Sequence, residues 1–341
     1  MKHKTFFWFF LPTALAMLVF IAAPILSILM QSVFLPHEQV VIEVESCGPF
    51  GCSTTTSVDQ EATAKLWEEA PLGRFAGMQV YFDRGHLAVA EVGEAWSTTQ
   101  SWGEFFGTLG NLPLYRALAF TLTYTFVSTP LLIILGFAIA VAVNNLGPWL
   151  KGPVIFFSLL PFVVTQLIGS LILFWMVDAR GVIGTFIQWI ADDPDLSLKA
   201  STPLTWIMLI VYGVWNSAPF AFVVFYAGLQ TLPQDTLESA MVDGATRWQR
   251  IRYVVIPHIM PLVTFVLLIQ LMDNFRVFEP IIGFSAEAHA TSLSWIIFND
   301  LGGETRQLSS AAANSVLTII GVSILLAPVL VRTWRESKAK T

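Results

Sequence analysis

A few polar side chains interrupt otherwise apolar stretches of this chain: Gln166, Asn216, Ser217, Gln270, Asp273 and Asn274. Each is costly in hydrocarbon, so each needs a reason to be there. Amides and a carboxylate offer paired donors and acceptors, the pattern that recognises vicinal hydroxyls. Phe162, Tyr212 and Trp215 supply faces on which the apolar side of a sugar ring can stack. The plain alternative for each polar residue is an interhelical hydrogen bond that holds a bundle together. Covalent and metal chemistry have little to stand on. No pair among His3, His37, His86, His258 and His289 has metal-ligand spacing, no nucleophile motif occurs, and there is no Gly-rich Lys loop for phosphate. The residues point to solute binding, with no catalytic group and no metal expected in the chain itself.

The elements that must position them are membrane spans. The 341 residues are 55% hydrophobic and 12% charged, with a mean hydropathy of +0.67. About 20 apolar residues cross the hydrocarbon core, and six stretches are long enough: 6–30, 114–143, 153–177, 203–229, 258–284 and 309–332. The expected fold is an all-α polytopic membrane protein of six transmembrane helices. The first run reads as an uncleaved anchor (1–30), because it is longer than the core of a signal peptide. Residues 31–112 form an external insertion between the first and second spans, 113–333 the transmembrane domain, and 334–341 a tail. On this reading Gln166 lies about 13 residues, or roughly 20 Å, into the third span. Asn216 and Ser217 sit mid-way along the fourth, and Gln270, Asp273 and Asn274 about 12 to 16 residues into the fifth. Asn314 and Ser315 in the sixth read as packing contacts.

Charge sets the expected orientation. With the N-terminus inside, cytoplasmic segments hold ten basic and four acidic residues, and the rest holds eight basic and twenty acidic. The positive-inside bias therefore puts both termini in the cytoplasm. The acidic balance belongs to the outer face and gives no reason to expect nucleic acid. In the insertion, Cys47 and Cys52 flank a Gly-Pro turn in "CGPFGC", which allows a local disulfide in an oxidising compartment. There "VVIEVE" (40–45) and "MQVYF" (78–82) read as strands and "EATAKLWEEA" (61–70) as a helix. The insertion is either a small α+β cap or an arm that orders against a partner.

One charged segment, 230–257, separates the fourth and fifth spans. Asp235 is positioned to cap a helix with Glu238 three residues on, Gly244 to end it in the left-handed conformation, and Thr246 to cap a second helix with Gln249 at its third position. Pro257 marks the entrance to the fifth span. Leu237, Ala240 and Met241 form one apolar stripe, and Trp248, Ile251 and Val255 another. A slim amphipathic helix pair of this kind suits a groove on another protein better than a lipid surface.

The stretch resembles the signature loop of ABC importer permeases: Glu-Ala-Ala, three residues, Gly, nine residues, Ile, one residue, Leu-Pro. Here it reads Glu238-Ser239-Ala240, Gly244, Val254, Ile256-Pro257 with the spacing intact. "SWGEFFGTLGNLPLYRALAFTLTYT" (101–125) and "GLQTLPQDTLESAMVDGA" (228–245) are similar to the carbohydrate branch, the maltose-importer-like permeases. The resemblance covers about residues 101–332.

It implies that Glu238, Ser239, Ala240, Asp243, Gly244, Ala245 and Pro257 couple this chain to a cytoplasmic ATPase. Two ATP-binding subunits would hold ATP and Mg, with a second permease subunit and a periplasmic solute-binding protein completing an inner-membrane importer. Aligned on the loop, the branch's sugar contacts fall at Phe162, Gln166, Gly213, Ser217, Gln270, Asp273 and Asn274; several differ in type from that relative, which argues for a different solute. Two alternatives stand beside a sugar importer. One is an importer of a polyol or osmolyte. The other is a proton- or sodium-coupled transporter using Asp273, Arg276 and Glu279, spaced i, i+3, i+6, as a relay. That same row otherwise reads as a self-neutralising ladder, or as a gate or site for an acidic sugar.

Overall fold

The computed structural model describes residues 3–35, 37, 40–48, 51–70, 72–99, 101–302 and 307–338, with backbone alone for 3–6, 41, 43–48, 51–57, 67, 336 and 337. The chain divides into two compact units, Met1–Tyr115 with Ile296–Ile319, and Arg116–Trp295 with Ile320–Thr341.

The first unit opens with α1 (His3–Met17), a π turn at Leu18–Ala22 and α2 (Ala23–Gln31), which together make the first span. The π turn has a simple cause. Pro24 has no N–H, and its ring would clash with the carbonyl four residues earlier. Widening the preceding turn, with Ala23 N–H bonded to Leu18 O, avoids that clash. Strands β1 (Phe34–Leu35), β2 (Val41–Gly48) and β3 (Gly51–Val58) follow, then α3 (Gln60–Glu69), capped by Asp59, and β4 (Arg74–Phe75), which pairs with β1. The β2–β3 register sets Cys47 opposite Cys52; the proposed bond between their side chains lies outside the described residues.

The strand expected at 78–82 is instead a helical turn, α4 (Gln79–Phe82). Its neighbours Val80 and Tyr81 are both buried. A strand would send successive side chains to opposite faces, whereas the core here takes two in a row. Val80 and Tyr81 pack with Ala313 and Val316, surrounded by Ile28, Val33, Leu35 and Leu87, and Tyr81 Oη donates to Ser32 Oγ at 2.7 Å. The insertion thus shares one core with the end of the first span and the start of the last helix. α5 (Val89–Thr98) and α6 (Trp102–Leu109) complete it.

The second unit holds most of α7 (Pro113–Asn144), then α8 (Pro148–Val163), α9 (Gln166–Val177), α10 (Val182–Ala191) and α11 (Thr202–Gln230). α12 (Gln234–Val242), α13 (Arg247–Arg250), a π turn at Ile251–Val255, α14 (Ile256–Phe275) and α15 (Glu279–Gly283) continue it. α16 (Leu293–Gly302) and α17 (Leu308–Lys338) run through both units. α7 and α11 carry residues of two buried clusters. One gathers Phe120, Tyr124, Leu209, Ile281 and Phe284. The other gathers Leu132, Val143, Phe222, Phe225, Ile259 and Val266.

Among the described residues five helices are long and apolar enough to cross a membrane, and a bent pair makes a sixth if it is one span. Two spans differ from the sequence reading. The third is not one helix over 153–177: α8 and α9 meet at 94°. Pro161 withdraws a donor from the end of α8, and the β-branched run Val163-Val164-Thr165 prefers extended backbone, which Val164 and Thr165 adopt. The fifth does not run over 258–284. It begins at Arg247, ends at Phe275, and Glu279 starts the separate α15. The π turn before Pro257, with Ile256 N–H bonded to Ile251 O, repeats the device seen before Pro24.

Candidate functional site

The segment between the fourth and fifth spans is built by local rules. α12 ends in a Schellman motif: Gly244 has φ +79°, its N–H bonds Met241 O, and the Ala245 N–H bonds Ala240 O, both at 3.0 Å. Two residues later Thr246 and Gln249 form a complete capping box for α13. The N-terminal cap differs from expectation. Pro233, fixed in extended backbone, precedes the first turn and makes no side-chain cap bond, so Asp235 sits inside that turn. There its charge favours the positive helix end, and its carbonyl accepts from Ser239 Oγ at 2.8 Å.

Glu238 is left exposed, without a hydrogen bond or ion pair to any described residue. Leu237 and Val255 pack into the core beneath, while Val242 (89% exposed), Trp248 (65%) and Tyr253 (68%) stay uncovered. Ala240, Asp243, Gly244, Ala245, Gln249, Arg250, Tyr253 and Val254 line a cleft of about 330 Å³, and the buried Arg250 Nε has no hydrogen-bond partner among the described residues. This is a rigid helix–bend–helix presenting an unpaired carboxylate and an unburied apolar surface, which is the character of a protein-docking element.

The polar residues of the spans separate into two kinds. Asn216 is buried and its amide donates to Pro161 O at 2.9 Å and Val164 O at 3.2 Å, closing the end of α8 at the break. Asn274, also buried, donates to Thr129 Oγ1 at 2.9 Å and ties α14 to α7. A Cβ on Gly213 would overlap Tyr124 Oη, so this position faces a neighbouring side chain. These three are engaged in packing. Phe162, Gln166 and Asp273 are exposed and Ser217 is half-buried; Gln270 is buried with no side-chain hydrogen bond to a described residue.

Because the third span breaks, Phe162 lies at the end of α8 and Gln166 at the first position of α9, one on each side of the bend. Tyr212 Oη donates to the Gln166 carbonyl at 2.9 Å, which holds the bend from α11. Asp273 pairs with Arg276 at 2.8 Å, an exposed i, i+3 bridge. Glu279 lies beyond the end of that helix, so the expected three-residue row on one span does not exist. Asn314 does act as a packing contact, donating to Asp300 Oδ2 at 3.3 Å.

Sequence reasoning overlooked a hydroxyl file on α7. Thr121, Thr125, Ser128 and Thr129 are buried at helical spacing. Thr121 accepts from Leu293 N at 3.2 Å, and Thr129 takes the Asn274 amide. Their period of about four was the available signal. Among the described residues no cluster of His, Cys, Asp and Glu can hold a metal.

Residues 102–334 match the family of binding-protein-dependent transport system inner membrane components. The chain belongs to that family. It is an ABC transporter permease, and several of its similar relatives carry sugar names. It is 29% identical over 215 residues to the trehalose/maltose transport system permease protein MalF of Thermococcus litoralis, covering 59% of this chain and 68% of the relative. It is 31% identical over 170 residues to the trehalose transport system permease protein SugA of Mycobacterium tuberculosis, covering 49% of this chain and 53% of the relative. The matched segments thus span from about half to about two thirds of these relatives' lengths. The fold is also that of a bacterial ABC transporter involved in the import of the acidic polysaccharide alginate, with a TM-score of 0.60 and 23% identity over 81% of this permease and 97% of that chain.

Proposed function

We propose that this permease is one of two membrane subunits of an ATP-driven, binding-protein-dependent importer that moves a sugar or sugar-like solute into the cytoplasm. The observation that carries the reading is the segment 230–257. Its Schellman glycine, capping box, free Glu238 and unburied Val242 and Trp248 form a stiff docking element between two spans. ATP and Mg are held by two partner subunits that grip this element, with Glu238, Ser239, Ala240, Asp243, Gly244, Ala245 and Pro257 as its working positions. Closure of the ATPases on ATP moves the segment, and α14 moves with it because α13, the π turn and α14 are continuous helix.

The positive-inside bias supports cytoplasmic termini, an external insertion and an outer face that receives a solute-binding protein. The solute path passes the bend between α8 and α9. At the bend Phe162 offers an apolar face for a sugar ring and Gln166 and Ser217 offer hydrogen-bonding capacity, with Asn216 holding the break. On α14, Gln270 has capacity to spare and Asp273 keeps acceptor capacity beyond its pair with Arg276, while Asn274 and Gly213 are engaged in packing.

Gentle detergent extraction of the chain from its native membrane, followed by mass analysis, tests the reading. A complex of this chain, a second permease and two nucleotide-binding subunits in about a 1:1:2 ratio is the expected result. A lone chain or homo-oligomer, under conditions that preserve complexes, would overturn it.

A further inference from the structure

α6, outside the solute path and the docking segment, has an unusual face. Trp102, Phe105, Phe106 and Leu109 recur at i, i+3, i+4 and i+7, one continuous stripe, while Gly103, Glu104, Gly107 and Thr108 occupy the other side. A stripe of that kind normally faces a core. Here Trp102 is 67% exposed and Phe106 63%. The stripe is nevertheless organised. Trp96, at the end of α5, meets Trp102 and Phe105 edge-on at 5.6 and 5.5 Å, and Trp102 stacks on Phe106 at 6.3 Å. Trp96, Thr99, Ser101, Trp102 and Phe105 line a cleft of about 220 Å³.

Chain geometry says what covers this face. Only Gly110–Leu112 separate α6 from α7, and that link is tight, with Gly110 N–H on Phe106 O, Asn111 N–H on Thr108 O and Leu112 N–H on Leu109 O. The start of α7 is therefore at most about 14 Å from Leu109. α7 is 32 residues long, or about 48 Å at the helical rise. A bilayer including both headgroup layers is about 40–45 Å thick. α7 is thus long enough to reach from one headgroup layer to the other, and a helix centred on the bilayer would carry its first turn, with Tyr115 and the exposed Arg116, at headgroup level.

We infer that α6, with Trp96 beside it, is an in-plane membrane anchor, its aromatic stripe sunk into the headgroup–acyl boundary next to the entry of α7. Indole and phenyl rings carrying an apolar body to that depth are the side chains such a boundary favours. The polar side has Glu104 and no Lys or Arg, so the anchor rests on apolar area and does not depend on anionic lipid.

The test is photo-cross-linking in native membranes, with p-benzoylphenylalanine in place of Phe106 and, as the opposite-face control, Thr108. The expected result is a phospholipid adduct at 106 in at least about fivefold excess over 108, following the helical periodicity. The same yield is expected in zwitterionic and in anionic nanodiscs. A protein adduct at 106, whether to a binding protein, a partner subunit or a second copy, would overturn the inference, as would equal lipid labelling of both faces. A second measurement needs no substitution: the unaltered full chain in nanodiscs containing a phospholipid with a diazirine near its headgroup should label the peptide spanning 102–109, and its absence from the labelled peptides also overturns the proposal.

Discussion

Asn216→Leu separates a framework residue from a solute contact. The Asn216 amide is buried and gives its two N–H groups to Pro161 O and Val164 O, carbonyls that the 94° bend has removed from the α8 ladder. Two magnitudes compete. Side-chain hydrogen bonds between membrane helices average about 0.6 kcal/mol and reach about 1.7, because the unfolded chain in the membrane finds other partners. A buried acceptor left unsatisfied costs about 1–3 kcal/mol. The second applies here, since Pro161 and the extended Val164 leave these carbonyls no helical donor to fall back on. Asn216→Leu fills the same space and should destabilise by about 2 kcal/mol, roughly a thirtyfold change in the folded-to-unfolded ratio. Asn216→Asp should be worse, because it brings an acceptor to two acceptors. Reversible unfolding in mixed micelles, followed by tryptophan fluorescence, reads both, and Ser217→Ala should stay within about 0.5 kcal/mol of the parent. If Asn216→Leu were as stable as the parent while solute affinity fell, the framework assignment would be wrong and Asn216 would belong to the binding surface.

Three further outcomes follow from the same packing. A double-mutant cycle on Asn274→Ala and Thr129→Val should return a coupling of about 0.6 to 1.7 kcal/mol; a value near zero would mean that the 2.9 Å contact does not hold α14 to α7. Gly283→Ala pushes a methyl into Ser170 Oγ and to 2.6 Å from Leu167 O, and should cost about 1–3 kcal/mol by overpacking. Adding Ser170→Gly should recover part of that loss in the same unfolding assay. Asp178, between α9 and α10, is held below its ordinary carboxyl value of 3.8 first by its hydrogen bond from Lys199 Nζ, then by the Arg180 N–H and the Lys199 charge. A lowered pKa means that its stabilising contribution is complete above the ordinary value and disappears as pH falls through the lowered one. Lys199→Met should therefore flatten the acid limb of a stability–pH curve, and an unchanged limb would count against the pair.

The docking segment was legible almost residue by residue because its structure is set locally. A left-handed glycine and a Thr-x-x-Gln box need only neighbours within five positions, and Gly244, Thr246 and Gln249 adopt what their types require. Two features escaped the sequence: the cap at Asp235, where Pro233 moved the helix start upstream, and the start of the fifth span, which runs back through the π turn to Arg247 and does not open at Pro257. The solute region was less legible for a physical reason. A polar residue in an apolar run announces a cost, and the sequence does not say whether a neighbour or a ligand meets it. Asn216 and Asn274 are met by neighbours across 52 and 145 residues of chain, distances at which no local pattern speaks.

The bend explains why the two kinds of polar residue lie so close together. A helix broken inside a membrane exposes carbonyls that something must satisfy, so breaking α8 from α9 demands Asn216 and Tyr212 as supports. The same break takes Phe162 and Gln166 off one continuous helical surface and leaves them exposed on either side of the bend. The framework residues and the proposed contact residues are then two consequences of one event, Pro161 followed by a β-branched run. Restoring the helix, for instance with Pro161→Ala, Val164→Leu and Thr165→Leu together, should straighten the span and strip the proposed site of Phe162 and Gln166 while leaving the proposed coupling segment 230–257 intact. Such a variant that still assembles but no longer transports would locate the solute path at the bend; one that transports normally would move it elsewhere.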